Sequence, residues 1–156
     1  MWHKNHQNIV FFIAHKGKNL YGGNMKFIAE EIIRQKLPCN IYWYLKSSVA
    51  KRLKKERLNN YGFPAQIKVI TGCLSLLKIA FQTDVIATDN HLPNVLLKLF
   101  KKKKKQFVLN TWHGSLGIKK IGIEAHGFNR RTKQKFLKLL NCLDVMISNC
   151  EWESNV

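Results

Sequence analysis

Acidic residues are scarce in this sequence: nine Asp and Glu stand against 27 Lys and Arg, a formal charge of +18. Such an imbalance points to anionic partners, whether nucleic acid, an anionic membrane surface or a phosphorylated substrate, and by itself does not choose among them. Proline is also rare, at three residues, and with 46% hydrophobic residues the composition excludes general disorder. Long apolar runs are missing. No segment approaches the roughly 20 apolar residues that a bilayer-spanning helix needs, so any membrane contact is expected to be peripheral. The beginning, MWHKNHQNIVFFIAHKG, pairs a basic start with an apolar run of about six residues, too short for the apolar region of a secretion signal and followed by no small-residue cleavage site. Cys39, Cys73, Cys142 and Cys150 form no CxxC pair and have no metal-finger spacing with the histidines. They are expected to be reduced, mostly buried thiols, and neither a metal nor a cofactor is expected.

What is present is an alternation. Short β-branched or aromatic runs are separated by segments of helical period, the pattern of a parallel α/β sheet. Strands are expected near Asn8 to Ala14, Asn40 to Leu45, Gln66 to Thr71, Asp84 to Thr88, Gln106 to Asn110 and Asp144 to Ser148. Several are apolar on both faces, as strands covered by helices on each side should be. NMKFIAEEIIRQK places Phe27, Ile28, Ile32 and Ile33 near one helical stripe. SSVAKRLKKERLNN offers Ser47 or Ser48 as an N-cap and turns Val49, Leu53 and Leu58 inward. HLPNVLLKLFKKKKK and RRTKQKFLKLLN read as further amphipathic helices with basic outer faces. The 156 residues suit one Rossmann-like domain, a parallel sheet with helices on both faces. The closing NCEWESNV looks like the start of a helix that has not yet buried a face, so a truncated domain is expected.

In open α/β sheets, ligands bind beyond the carboxyl ends of the strands. Two loops qualify. HKGKNLYGGN follows the first strand, with glycines that permit close backbone approach and a helix beginning at about Asn24, whose free N–H groups suit a phosphate or an acceptor. It is not a GxGxxG, and the alternative is a plain surface loop. The second, TWHGSLGIKKIG, puts His113 at a strand end, where an imidazole suits general-base removal of a hydroxyl proton. Gly114 and Gly117 would turn backbone N–H groups toward an anion, and Lys119 and Lys120 would neutralise phosphate charge. A structural histidine capping the strand is the alternative.

The stretch TDVIATDNHLPNVLLKLFKKKKKQFVLNTWHGSLGIKKIG resembles the CDP-glycerol glycerophosphotransferase family, the teichoic-acid-type primases and polymerases, in which a TDN-like segment, a helix, a basic turn and a TWHGTPLKKIG-like motif occur in this order. GGNMKFIAEEI is similar to the helix that begins NPK in that family. The resemblance implies the N-terminal half of a GT-B architecture and a reaction in which an acceptor hydroxyl attacks the glycerol-bearing phosphorus of CDP-glycerol, or of CDP-ribitol, with loss of CMP. It implies that His113 is the base, that Asp89 and Asn90 orient the acceptor or His113, and that Trp112, Gly114, Ser115, Lys119, Lys120, Gly23, Asn24 and Lys26 bind substrate. It also implies a lipid-linked teichoic-acid-like or capsular acceptor and a second, nucleotide-binding domain that this chain lacks. Here the motif reads Gly-Ser-Leu-Gly where the family has Gly-Thr-Pro-Leu, which makes the loop more flexible.

Lys101, Lys102, Lys103, Lys104 and Lys105 are read either as a solvated turn or as a patch for the anionic inner leaflet, at up to about 1 kcal/mol per basic residue. The patch would put the protein in the cytoplasm, peripheral on the inner face of the membrane. The rival to the transferase is a non-enzymatic basic α/β module for nucleic acid. It is disfavoured, because there is no RNP, zinc-finger or helix-turn-helix signature and the basic residues lie on several helices. A third reading is half of a related GT-B glycosyltransferase.

Overall fold

The computed structural model describes residues 8–13, 21–56, 59–89, 92–93, 95–96, 106–111 and 129–147. Among them six strands form one sheet: β1 (Asn8–Ile13), β2 (Cys39–Leu45), β3 (Ile67–Thr71), β4 (Val85–Thr88), β5 (Phe107–Asn110) and β6 (Val145–Met146). Every neighbouring pair is parallel. The spatial order is β3-β2-β1-β4-β5-β6, so the chain steps outward from β1 on one side, returns past it and continues on the other. Between them the described residues include the helices α1 (Gly23–Arg34), α2 (Ser47–Lys55), α3 (Cys73–Gln82) and α4 (Arg130–Leu140). Parallel crossovers are right-handed, so reversing the direction of travel moves the covering helix to the opposite face. The expected Rossmann-like layer sandwich is therefore present.

The strand period of two divides the core accordingly. Ile41, Trp43 and Leu45 of β2 enter one core with Met25 and Ala29 of α1 and Ala50 and Leu53 of α2. Tyr42 and Tyr44 of the same strand face the other core, built on Leu76 and Ala80 of α3, Ile86 of β4 and Val108 of β5. Trp43 is fully buried and packs against Tyr21 and Phe63 at ring separations of 5.3 and 5.2 Å, with Tyr21 and Phe63 5.0 Å apart. Tilted aromatic pairs of this kind add about 0.5–1.5 kcal/mol each beyond the area they bury.

Several local expectations are corrected. Phe27 does not join the inward stripe of α1 and is 67% exposed, while Met25 and Ala29 are buried. At about 100° per residue, Phe27 lies about 200° around the helix from Met25, on the solvent side. Ser47 and Ser48 do not cap α2: the N-cap is Lys46, which uses no side-chain bond, and its carbonyl accepts from Val49 and Ala50 at 2.9 Å each. Leu53 is buried and Val49 half-buried as expected, and Leu58 lies outside the described residues. Helix α3 was not anticipated, because CLSLLKIAFQ is apolar on most sides and carries no clean amphipathic stripe. Its C-terminal end is closed from a distance: the buried Gln106 Nε2 donates to the carbonyls of Ala80 and Thr83, both at 2.6 Å. Of the helix expected after His91, Leu92 and Leu96 are buried in the second core, and the lysine tract lies outside the described residues, as does NCEWESNV.

Candidate functional site

The carboxyl ends of the central strands finish level. Ile13 of β1 is in register with Thr88 of β4, and Thr88 with Asn110 of β5. The ladder runs one bond further, Thr111 N–H donating to the Thr88 carbonyl at 2.9 Å. Strand order reverses between β1 and β4, and the crevice outside such a switch point is where open α/β sheets bind ligands. Four polar residues are buried at this level: Thr88, Asp89, Asn110 and Thr111, at 0, 4, 1 and 3% exposure. Burying polar groups is costly unless they are bonded, so their concentration here, at the ends of otherwise apolar strands, sets this end of the sheet apart from the core below it.

The first turn of α1 closes over the same place. Its N-cap, Gly22, is extended and offers no side chain to the free N–H groups. Gly23 follows at φ 64, a left-handed backbone that favours glycine, and a β-carbon built on it would stand 3.4 Å from Asp89 Oδ2. The Asp89 carboxylate thus sits beside the helix N-terminus, where a negative charge interacts favourably with the dipole. The next residue, Asn24, donates from Nδ2 to the carbonyl of Thr111 at 3.3 Å. Of the residues proposed from sequence, Gly23, Asn24 and Asp89 are therefore brought together, and Thr111, which was not singled out, joins them.

Lys26 is placed differently. Its Nζ lies 3.7 Å from Glu30 Oε1 and 5.8 Å from the centroid of the Tyr21 ring, along the flank of α1. Burial, and secondarily the charge of Glu30, push the Tyr21 phenol above its ordinary range, so it stays protonated at neutral pH. Asn90, Trp112, His113, Gly114, Ser115, Lys119 and Lys120 lie outside the described residues. Asn110 and Thr111 had a sequence signal, two polar residues between an apolar strand and Trp-His-Gly, but their burial could be seen only in three dimensions.

Among the described residues no group of His, Cys, Asp and Glu could hold a metal ion. Cys39, Cys73 and Cys142 form no disulfide with one another; Cys39 and Cys142 are half-buried and Cys73 is exposed, short of the mostly buried thiols expected, and burial pushes the Cys39 thiol up. No described helix is long and apolar enough to cross a membrane. The described part of the site thus offers a carboxylate, buried hydroxyl and amide groups and a helix terminus. Such a set can accept from and donate to a polyol hydroxyl.

A sequence model of the family described as CDP-glycerol:poly(glycerophosphate) glycerophosphotransferase matches residues 1–156. Among solved structures, the chain is similar to a histidine-to-asparagine variant of the wall teichoic acid polymerase TagF, with a TM-score of 0.73 and 18% identity. The likeness covers 96% of this chain and 34% of that one, so the chain spans about a third of the polymerase. No curated protein matches with significance. At this identity the likeness bears on the fold, and the fold agrees: a Rossmann-like parallel sheet resembling the N-terminal half of a GT-B enzyme.

Proposed function

Because the chain belongs to the CDP-glycerol:poly(glycerophosphate) glycerophosphotransferase family, we propose that it is the acceptor-side domain of an enzyme that transfers glycerol phosphate from CDP-glycerol to a hydroxyl of a lipid-linked, teichoic-acid-like polymer. In the step proposed, the acceptor oxygen bonds to the glycerol-bearing phosphorus, the bond from that phosphorus to the bridging oxygen breaks, and CMP leaves with the electron pair. His113 takes the hydroxyl proton. Positioning, charge neutralisation and activation of the hydroxyl are what such a transfer requires.

The observation that carries the acceptor-side assignment is the Asp89 carboxylate beside Gly23. A helix N-terminus commonly receives phosphate. Here a second anion would meet a like charge a few ångströms away in a poorly screened site, and the two would repel. A neutral polyol hydroxyl suffers no such penalty and can donate to the carboxylate. Phosphate is then the task of Lys119 and Lys120 and of a second, nucleotide-binding domain outside these 156 residues. The lysines from Lys101 to Lys105 would hold the domain against anionic lipid at the inner face of the membrane, near its lipid-linked acceptor.

The test is CMP release from CDP-glycerol with a lipid-linked acceptor. It compares this chain alone, this chain joined to a nucleotide-binding domain of the family, and His113→Ala in each. Turnover by the joined form alone, abolished in His113→Ala, is expected. Turnover by the isolated chain would refute the need for a second domain. No turnover in any form, together with salt-sensitive binding of RNA or DNA, would replace the transferase by a nucleic-acid module.

A further inference from the structure

We propose that α4 and β6 form a docking margin for an anionic lipid surface, with Leu137 and Leu140 entering the headgroup layer and Arg130 and Lys133 meeting phosphate. The proposal rests on the reading above only for what docking would serve. Exposed apolar side chains are concentrated at this margin. Of the ten large ones among the described residues, five (Leu137, Leu140, Val145, Met146 and Ile147) fall between 137 and 147, each 40–43% exposed. Strand β6 ends the sheet on its side and, among the described strands, pairs with β5 alone. The opposite margin is guarded: Lys68 of β3 is exposed, and its Nζ donates to Asn40 Oδ1 at 2.9 Å. A charged side chain is a common means of blunting a sheet edge, and β6 carries none.

Helix α4 supplies the charge. Arg130, Lys133, Leu137 and Leu140 follow one another at spacings of three, four and three, which at about 100° per residue keeps them within an arc of about 80°. All four are exposed, so one open stripe is cationic in its first half and apolar in its second. The first turn holds no acidic residue, and Arg130 and Arg131 stand where the helix dipole disfavours cations. The stability of the helix therefore does not account for them. Asp144, the single acidic residue from 129 to 147, is engaged with the sheet: its Oδ2 accepts the Val108 N–H at 2.7 Å. Leucine and arginine on one stripe fit an anionic bilayer, where apolar side chains sink toward the acyl boundary and long basic ones keep their heads at the phosphates. A second copy of this chain would bring the same cations face to face, and at +18 the two would repel. A protein strand added to β6 would leave the cationic half of α4 without a counterpart.

The experiment measures co-sedimentation of the full chain with phosphatidylcholine vesicles, with and without phosphatidylglycerol. The wild type should bind only the anionic vesicles. Leu137→Gln together with Leu140→Gln should weaken that binding about tenfold, and Arg130→Gln and Lys133→Gln about fivefold each. Leu74→Gln, at a leucine 85% exposed but far from this margin in the strand order, should change nothing. In the wild type, anionic vesicles should also slow amide exchange from Leu137 to Ile147 and leave α3 unchanged, a readout that does not depend on any variant folding. A wild type that ignores anionic vesicles, leucine variants that bind as the wild type does, or slowed exchange confined to other elements would overturn the proposal. So would a dimer in analytical ultracentrifugation that the paired leucine substitutions dissolve, since the margin would then belong to a second copy. Vesicle binding needs no donor, so it can fail while the joined form still releases CMP, and the reverse.

Discussion

Lys36 sits at φ 50, just past the end of α1, and closes that helix in a way usually left to glycine. Its N–H donates to the Ile33 carbonyl at 3.0 Å and that of Leu37 to the Ile32 carbonyl at 3.2 Å, the paired bonds of a Schellman ending. A side chain in this left-handed conformation costs about 1–2 kcal/mol, partly offset by the greater entropy glycine loses on folding. Lys36→Gly should raise stability by about 0.5–1 kcal/mol, read as a higher urea midpoint at constant slope. Gly23→Ala should do the reverse: at φ 64 it should lose about 1 kcal/mol. Glu31 provides a pH test. Side-chain hydrogen bonds from Arg34, at 2.6 and 2.7 Å, and from Gln35, at 2.6 Å, lower its carboxyl from 4.5 to about 2. A depressed folded-state value means that this contribution is complete above pH 4.5 and is lost as pH falls toward about 2. Because the group is exposed, the effect is screened and local. A carbon-13 NMR titration of Glu31 should show the low midpoint in wild type and a return toward 4.5 in Arg34→Gln. Neither the left-handed lysine nor the Arg34 pairing departs from an ordinary helix sequence, which is why such details were not legible in it.

The elements were more legible than their edges. All six strands lie within the expected ranges or one residue beyond, because each is a short run of apolar, mostly β-branched or aromatic residues between breaks in the pattern. Helix α1 matches its expected stripe at Ile28, Ile32 and Ile33, which pack against the first core, and departs from it at Phe27, which points outward while Met25 and Ala29 take the most buried places. Small and flexible residues give a weak hydrophobic signal yet pack most closely against a sheet. Helix α3 was missed for the opposite reason, an excess of apolar residues that blurs the period. Its closure by Gln106 is a prediction at this scale. Gln106→Leu removes both 2.6 Å bonds and leaves the carbonyls of Ala80 and Thr83 without that donor in a buried place, which should cost about 2–3 kcal/mol in chemical denaturation. Gln106→Glu, which cannot donate when ionised, should be at least as damaging.

For the whole molecule, the two cores must form together, since β2 and β4 contribute alternate residues to each. Trp43 anchors the first core through its contacts with Tyr21 and Phe63. Trp43→Ala should cost about 3–5 kcal/mol. Against the roughly 5–15 kcal/mol that holds a typical domain, this is enough to leave a measurable unfolded fraction in a thermal melt. The charge of +18 acts at the same scale, and binding to anionic vesicles, measured by co-sedimentation, should weaken as salt rises.

By itself the sequence determined the class of fold, since alternating apolar strands and helical stretches leave few packings other than a parallel sheet covered on both sides. It also determined the sign of the molecule's own field, through its charge of +18. It placed Gly23, Asn24 and Asp89 in a list of candidates without saying that they meet. Tertiary structure decided that, through the order β3-β2-β1-β4-β5-β6, which sets β1 beside β4 and β5 next to it. Strand order is fixed by non-local burial and by the handedness of the crossovers, and neither is written in any window of residues. Asn24 and Thr111, 87 residues apart, come into contact for that reason alone.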